Sequence, residues 1–356
     1  MARSRAGAGR DHRRRDRCRC LYGRATPPRT ALRLERLLNG GRFVSGEAVQ
    51  GSETFPVGHG KCIRHHGEFL QGCFWDDESR TYVPGLVTVP IPEIQTHAVF
   101  HPDDAPGIRV SGDRPKSARA AALTLEACQR HGGTPPPGGV VDISSQEDRG
   151  WGMGSSTSDV IATVRAVCSS CGVDLSRWEI SRLAVRAEVA SDPLAFESCP
   201  VLFAQRHARL LRQWQRPFPP LALVGCRLSR EPVNTLAMHH EPYSRSERRE
   251  FHRLRRDIGR AITRGDPRLL GRVATRSAEI NQRRVHQPGF DEVLEICRSV
   301  DGVGVQIAHS GNVCGLLLDD RSPGTAHKIT QARDALTRAG FPPTLERRSE
   351  PHHASC

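Results

Sequence analysis

At 356 residues and a formal net charge of +13, the chain has length for two modest domains with buried cores. Its hydrophobic fraction of 37% and mean hydropathy of -0.48 point to a soluble protein, and no run approaches the apolar length of a membrane span. The charge invites a nucleic-acid reading that its distribution argues against. Residues 1–36 hold twelve arginines against Asp11, Asp16 and Glu35, so nine of the thirteen charges sit in that head, and the interleaved aromatics of a nucleic-acid platform are missing.

Residues 1–53 read as a basic, disordered extension or as a mis-assigned start. They lack the apolar core of a signal peptide, and a cytoplasmic location is expected. Twelve cysteines are scattered as in a reducing compartment. Cys168-Ser-Ser-Cys171 is the one C-x-x-C, without the second such pair that a zinc ribbon needs, and both thiols fall on the apolar side of a helix. The adjacent pairs His65-His66, His239-His240 and His352-His353 would diverge on a strand and read as surface or satisfied histidines. Among 52 basic residues only Lys61, Lys116 and Lys328 are lysine, which gives those three some weight.

Residues 54–216 alternate strand and helix signals. Gly58 to Gly72 reads as a strand with a glycine turn, Leu86–Val89 and His97–Phe100 as strands, and Lys116–Cys128 as an alanine-rich helix. Thr134–Gly139 is a loop and Val140–Ile143 a strand. A helix begins near Leu175 and ends at Arg186-Ala-Glu-Val-Ala-Ser-Asp-Pro193, where Glu188 and Asp192 taken alone are a solvated face. Arg216-Pro-Phe-Pro-Pro220 breaks the chain, and residues 217–345 form a second unit before a tail at 346–356. That unit is expected to hold a strand at Leu221–Cys226, a long charged helical region from Ser246 to about Gln282, and a helix at Asp291–Ser299. Strands at Gly304–Ala308 and Cys314–Leu318 flank a turn at His309–Asn312, and a last helix spans Ala326–Ala339.

The strand at 140–143 feeds Gly150-Trp-Gly-Met-Gly-Ser-Ser-Thr-Ser-Asp159, which runs directly into Val160, Val164, Val167 and Cys171 at helical spacing, with Gly172 as the stop. A glycine turn and serines before a helix can cradle an anion, because the first N–H groups of a helix lack acceptors and carry the positive end of the macrodipole. An ordinary capped helix after a glycine loop is the bland alternative. A Walker loop is excluded because no lysine follows the second glycine, and a dinucleotide fingerprint because Ser155 stands where its third glycine belongs.

The segment resembles the phosphate loop of the GHMP small-molecule kinases, and most closely that of the L-threonine kinases of cobalamin biosynthesis, which reads G-M-x-S-S-T-x-D. Met153, Ser155, Ser156, Thr157 and Asp159 match it, while Asp148 replaces the usual proline. Gly67, Glu68, Gln71 and Gly72 match that group's first motif, C-G-E-L-I-Q-G, with Lys61 near the lysine position of mevalonate kinases. Asp192 and Phe196 keep the spacing of E-P-T-D-S-T-V-F, with Glu188 one residue displaced. Ala308-His-Ser-Gly311 and Gly315 resemble A-H-S-G-S-V-x-G.

The resemblance runs from about Gly58 to Leu318 and implies an α+β, two-domain GHMP kinase fold: an N-terminal α/β domain with a left-handed crossover and a C-terminal ferredoxin-like domain. It implies an ATP-dependent kinase acting on a small-molecule hydroxyl, that of L-threonine or a related amino acid. Another hydroxylated metabolite, or a non-catalytic nucleotide-binding protein, is the alternative. Gly150, Gly152, Met153, Gly154, Ser155, Ser156 and Thr157 would bind ATP, Ser156 and Glu188 would hold Mg2+, and Asp192 would serve as base. Lys61, Gly67, Glu68, Gln71, His309, Ser310 and Gly311 would close on substrate or phosphate. Neither nucleic acid nor membrane is an expected partner, and a homodimer is compatible with this reading.

Overall fold

The computed structural model describes residues 55–145, 153–197, 199–228, 242–309 and 313–348. The basic head, Asp148, Gly150 to Gly152, Ser310 to Asn312, and the histidine pairs 239–240 and 352–353 lie outside the described residues.

The chain builds one sheet around two long strands, β1 (Gly58–Asp76) and β2 (Thr81–Asp103), paired antiparallel. The two short strands expected at 86–89 and 97–100 are parts of β2. Instead of the glycine turn expected within 58–72, β1 carries an irregularity: its register against β2 shifts between His65 and Glu68, and Gly67 has φ +68°. A Cβ at Gly67 would fall 2.8 Å from the Ala308 nitrogen, so both the backbone angle and the close approach require glycine. An irregularity of this kind re-aims the side chains on either side of it, here those of His65 and Glu68.

Beyond β2 lie β3 (Gly107–Val110) and β4 (Gly138–Ser145), a parallel pair connected through α1 (Pro115–Arg130). Helices α2 (Ser155–Ser170) and α3 (Arg177–Glu188) complete this half. Ile161, Val164, Leu123 and Leu183 pack with Phe100 and Val141 of the sheet in one buried core. Ser176 starts α3 with a capping box shared with Glu179, which satisfies two otherwise orphaned N–H groups. Cys168 lies in the core and Cys171 packs against it, as their helical spacing predicts. A hairpin of β5 (Val201–Ala204) and β6 (Arg209–Gln213), not anticipated from the sequence, pairs with β2 at Leu86–Phe203.

The second half runs β7 (Leu221–Arg227), α4 (Arg245–Arg264), α5 (Pro267–Gln282), α6 (Phe290–Ser299), β8 (Gly304–Ile307), β9 (Val313–Asp319), α7 (Thr325–Arg338) and β10 (Pro343–Arg347). The charged region expected as one helix is two. Asp266 accepts a hydrogen bond from the Leu269 nitrogen and so caps α5, and Pro267 follows at its first turn. The strand order β10-β7-β9-β8, antiparallel throughout, is that of a ferredoxin-like domain. A Glu68–Ile307 pairing joins β8 to β1, so the sheet continues from one half into the other at a residue of the first motif. Leu70, Phe74, Phe251, Ile258 and Val273 fill the core beside that seam.

Candidate active site

Helix α2 begins at Ser155, after Gly154 in the left-handed conformation at φ +67°. A Cβ at Gly154 would lie 2.6 Å from Nε2 of His65, so glycine here lets β1 bring an imidazole against the start of the helix. Met153 is buried with Ile91, Ile94, Ala308 and Val313, which anchors the chain just before the helix.

Helix α3 ends at Glu188, and the next residue, Val189, has φ +73° and ψ -36°. A β-branched side chain in that region is strained. The turn it makes sends both Glu188 and Asp192 back to the first turn of α2. Thr157 Oγ1 donates to Glu188 Oε1 at 2.8 Å, and accepts from the Asp192 nitrogen at 3.3 Å. Ser156 Oγ donates to Glu188 Oε2 at 2.8 Å. Lys116, in the first turn of α1, donates to Ser156 Oγ at 3.0 Å and lies 3.6 Å from Glu188 Oε2. Burial pushes the Glu188 carboxyl above its ordinary pKa, against the opposing hydrogen bond from Thr157 and charge of Lys116.

Asp192 meets β1 on its other side. Its Oδ2 lies 3.0 Å from Nε2 of His65, whose side chain is 1% exposed. Burial works against both charges, yet the pair outweighs it. Asp192 is lowered to about 2 by the His65 charge and hydrogen bond, with His309 and Thr157 assisting, and His65 is raised by Asp192 and then Glu68. Across the irregularity, Glu68 is fully buried and accepts from His309 twice, from the backbone nitrogen at 2.6 Å and from Nδ1 at 2.9 Å. Atoms of His65, Glu68 and Asp192 lie within 4.8 Å of one another.

The structure therefore brings Ser155, Ser156, Thr157, Glu188, Asp192, Glu68 and His309 to one place at the end of the seam. It does not bring Lys61 or Gln71 into these contacts. The Lys61 side chain is exposed and its carbonyl accepts from Arg165, on the flank of α2. Gln71 ties β1 to the second half instead, donating to the Ile307 carbonyl at 3.0 Å while its backbone nitrogen donates to Ser277. Asp159 of the loop motif faces inward to Arg114 and Thr96, a supporting contact for the start of α2.

Two site residues escape sequence reasoning. His65, grouped with His66 as a surface or satisfied histidine, is the partner of Asp192. The two rings do diverge. His66 accepts from Gln306 and donates to Thr344 on the far face, as a neutral imidazole that burial, with the His65 charge, pushes down to about 3. Lys116 is the other; its retention among only three lysines is the available signal.

The chain is similar to known proteins in sequence and in fold. The GHMP kinases N terminal domain family matches residues 117–197 and the GHMP kinases C terminal family residues 260–338. The L-threonine kinase of Salmonella typhimurium is 29% identical over 204 residues, 56% of this chain and 66% of the relative. That of Citrobacter freundii is 31% identical over 182 residues, 50% of this chain and 62% of the relative. The matched stretch is thus less than two thirds of either relative's length. In fold, a phosphomevalonate kinase of Streptococcus pneumoniae superposes with a TM-score of 0.62 at 14% identity, covering 83% of this chain and 98% of that one. The homoserine kinase of Cytophaga hutchinsonii gives 0.57 at 14% identity, covering 85% and 98%. The chain thus carries a GHMP kinases N terminal domain followed by a GHMP kinases C terminal domain, on one sheet that runs through both halves.

Proposed function

We propose that the chain is an ATP-dependent kinase that phosphorylates the hydroxyl of L-threonine or a related hydroxy amino acid. The observation that carries this reading is the Asp192 carboxylate, held ionised by His65 beside the first turn of α2. The printed activity of the two relatives supports the substrate class.

ATP would lay its phosphates on the glycine loop from Gly150 and on the N-terminal turn of α2, where free N–H groups and the helix dipole favour negative charge. Lys116 would add a cation at the same turn. Ser156 and Glu188 offer hard oxygens 2.8 Å apart. A buried carboxylate whose charged form is disfavoured is a fitting partner for a divalent cation, so the donor set suits Mg2+. When bound, that ion would supply charge neutralisation at the phosphates.

The acceptor hydroxyl would approach Asp192 and donate a hydrogen bond to it, which orients the oxygen for in-line attack on the γ-phosphorus. The new O–P bond forms as the bond to the β-phosphate oxygen breaks, ADP leaves, and the hydroxyl proton passes to Asp192 and then to solvent. A carboxylate with a pKa of about 2 is a weak base, so Asp192 contributes orientation first and accepts the proton late. That suits a loose phosphoryl-transfer transition state, where positioning and charge stabilisation supply most of the rate. The nine described cysteines are free thiols, in keeping with a cytoplasmic enzyme.

The test is a screen of hydroxy amino acids, sugars and small alcohols with Mg-ATP, read as ADP release and product mass. Phosphothreonine, or the phosphate ester of a close homologue, is the expected product. A sugar phosphate alone would overturn the substrate class and keep the kinase.

A further inference from the structure

We propose that His309 is the anion-binding cation of this cleft and that Glu68, instead of touching substrate, is the residue that positions it. The inference rests on the kinase reading above and assigns separate tasks to two residues that the sequence groups together.

The geometry separates them. Glu68 has a side-chain exposure of 0%, and its two oxygens are taken by the backbone nitrogen and by Nδ1 of His309. No face of that carboxylate is open to a ligand. His309, by contrast, is 36% exposed at its side chain, and the contact to Glu68 through Nδ1 leaves Nε2 as the ring nitrogen directed away from that carboxylate.

The placement is built into the fold. Glu68 follows the irregularity at Gly67 and pairs with Ile307, two residues before His309, so the clasp sits where the two halves of the sheet join. Around the imidazole stand Glu68, Asp192 and His65, with Arg206 acting more distantly. Burial opposes a charge on His309, but Glu68 first and Asp192 next outweigh it and hold the ring protonated up to about pH 9. A cation fixed by a carboxylate that no ligand reaches is suited to an anionic group, whether the carboxylate of an amino acid acceptor or the γ-phosphate of ATP.

Steady-state kinetics of His309→Gln, Glu68→Gln and the double variant, with L-threonine and with L-threoninol, which lacks the carboxylate, test this. His309→Gln is expected to raise one KM by roughly tenfold or more, the scale of one charged hydrogen bond. A rise confined to L-threonine identifies the acceptor carboxylate, and a rise in the KM for ATP with both acceptors identifies the γ-phosphate. Glu68→Gln should raise the same KM, and the double variant should be no worse than His309→Gln alone, because both changes act through one group. Additive losses, or a loss in Glu68→Gln without one in His309→Gln, would overturn the proposal.

NMR titration of the His309 ring in the unmodified protein gives a readout that needs neither a variant nor turnover. A high pKa and an Nε2 shift on adding ATP or L-threonine are expected. Titration near 6.5, or no response to either ligand, contradicts the proposal. If the unmodified enzyme transfers phosphate to no acceptor, the kinase reading fails while this titration still decides the role of His309.

Discussion

His65 Nε2 and Asp192 Oδ2 lie 3.0 Å apart, although 127 residues separate them in the chain. The contact joins the central strand to the turn after α3, and it places a buried counter-charge behind the carboxylate that would face the acceptor hydroxyl.

Replacing His65 by alanine should therefore cost stability on the order of 3 kcal/mol, the scale of leaving one partner of a buried ion pair unpaired. The pH dependence has two flanks. Asp192 is depressed from 3.8 to about 2, so its contribution is present above 3.8 and is lost as pH falls through 2. His65 is raised above 6.5, so its contribution is present below 6.5 and is lost as pH rises through its raised pKa. Urea denaturation of both proteins from pH 3 to pH 9 should show the largest gap between about pH 4 and 6.5. An even gap across that range would contradict the pairing.

Gly154→Ala should destabilise the protein by about 1–2 kcal/mol from its left-handed backbone alone. Because the new methyl meets the His65 ring, turnover should fall more steeply than stability. Thermal melts and initial rates on the same preparation separate the two effects, and a stable variant with an unaltered rate would remove Gly154 from the account.

How much of this was legible beforehand depends on chain distance. Gly154 and the serines after it, the carboxylates Glu188 and Asp192, and Ala308-His309 are local patterns that motif spacing exposes. The His65–Asp192 and Lys116–Ser156 contacts bridge segments far apart, and no local period encodes them. The Gly67 irregularity read as a turn because glycine serves both. The β5–β6 hairpin and β10 are strands of four or five residues without the flanking glycine turn that marks the equally short β8. The split between α4 and α5 was available in Gly265-Asp-Pro267, a stop, a cap and a first-turn proline in succession.

Val189→Gly should raise stability by about 1 kcal/mol, since it relieves a β-branched side chain held at φ +73°. Val189 is 55% exposed, so little packing is lost in exchange. A higher midpoint in thermal unfolding is the expected result; a lower one would mean that Val189 makes contacts that outweigh its strain.

Lys116→Met should raise the KM for ATP by roughly tenfold, the scale of one charged hydrogen bond, with little change in the melting temperature because the lysine side chain is 43% exposed. Ser156→Ala should likewise weaken Mg-ATP use, at a stability cost of roughly 1 kcal/mol for the lost hydrogen bond to Glu188. Nucleotide titrations followed by calorimetry check both, and unchanged affinity in both variants would move the phosphate site away from the first turn of α2.

The central claim is that Asp192 orients an acceptor hydroxyl beside that turn, and the most direct measurement is phosphothreonine formation by Asp192→Asn against the unmodified enzyme at saturating Mg-ATP and L-threonine. The account predicts that product falls by at least a hundredfold, the lower end of what a positioned acid–base group supplies, while nucleotide affinity stays within a fewfold. Product formation by Asp192→Asn at the unmodified rate would contradict it.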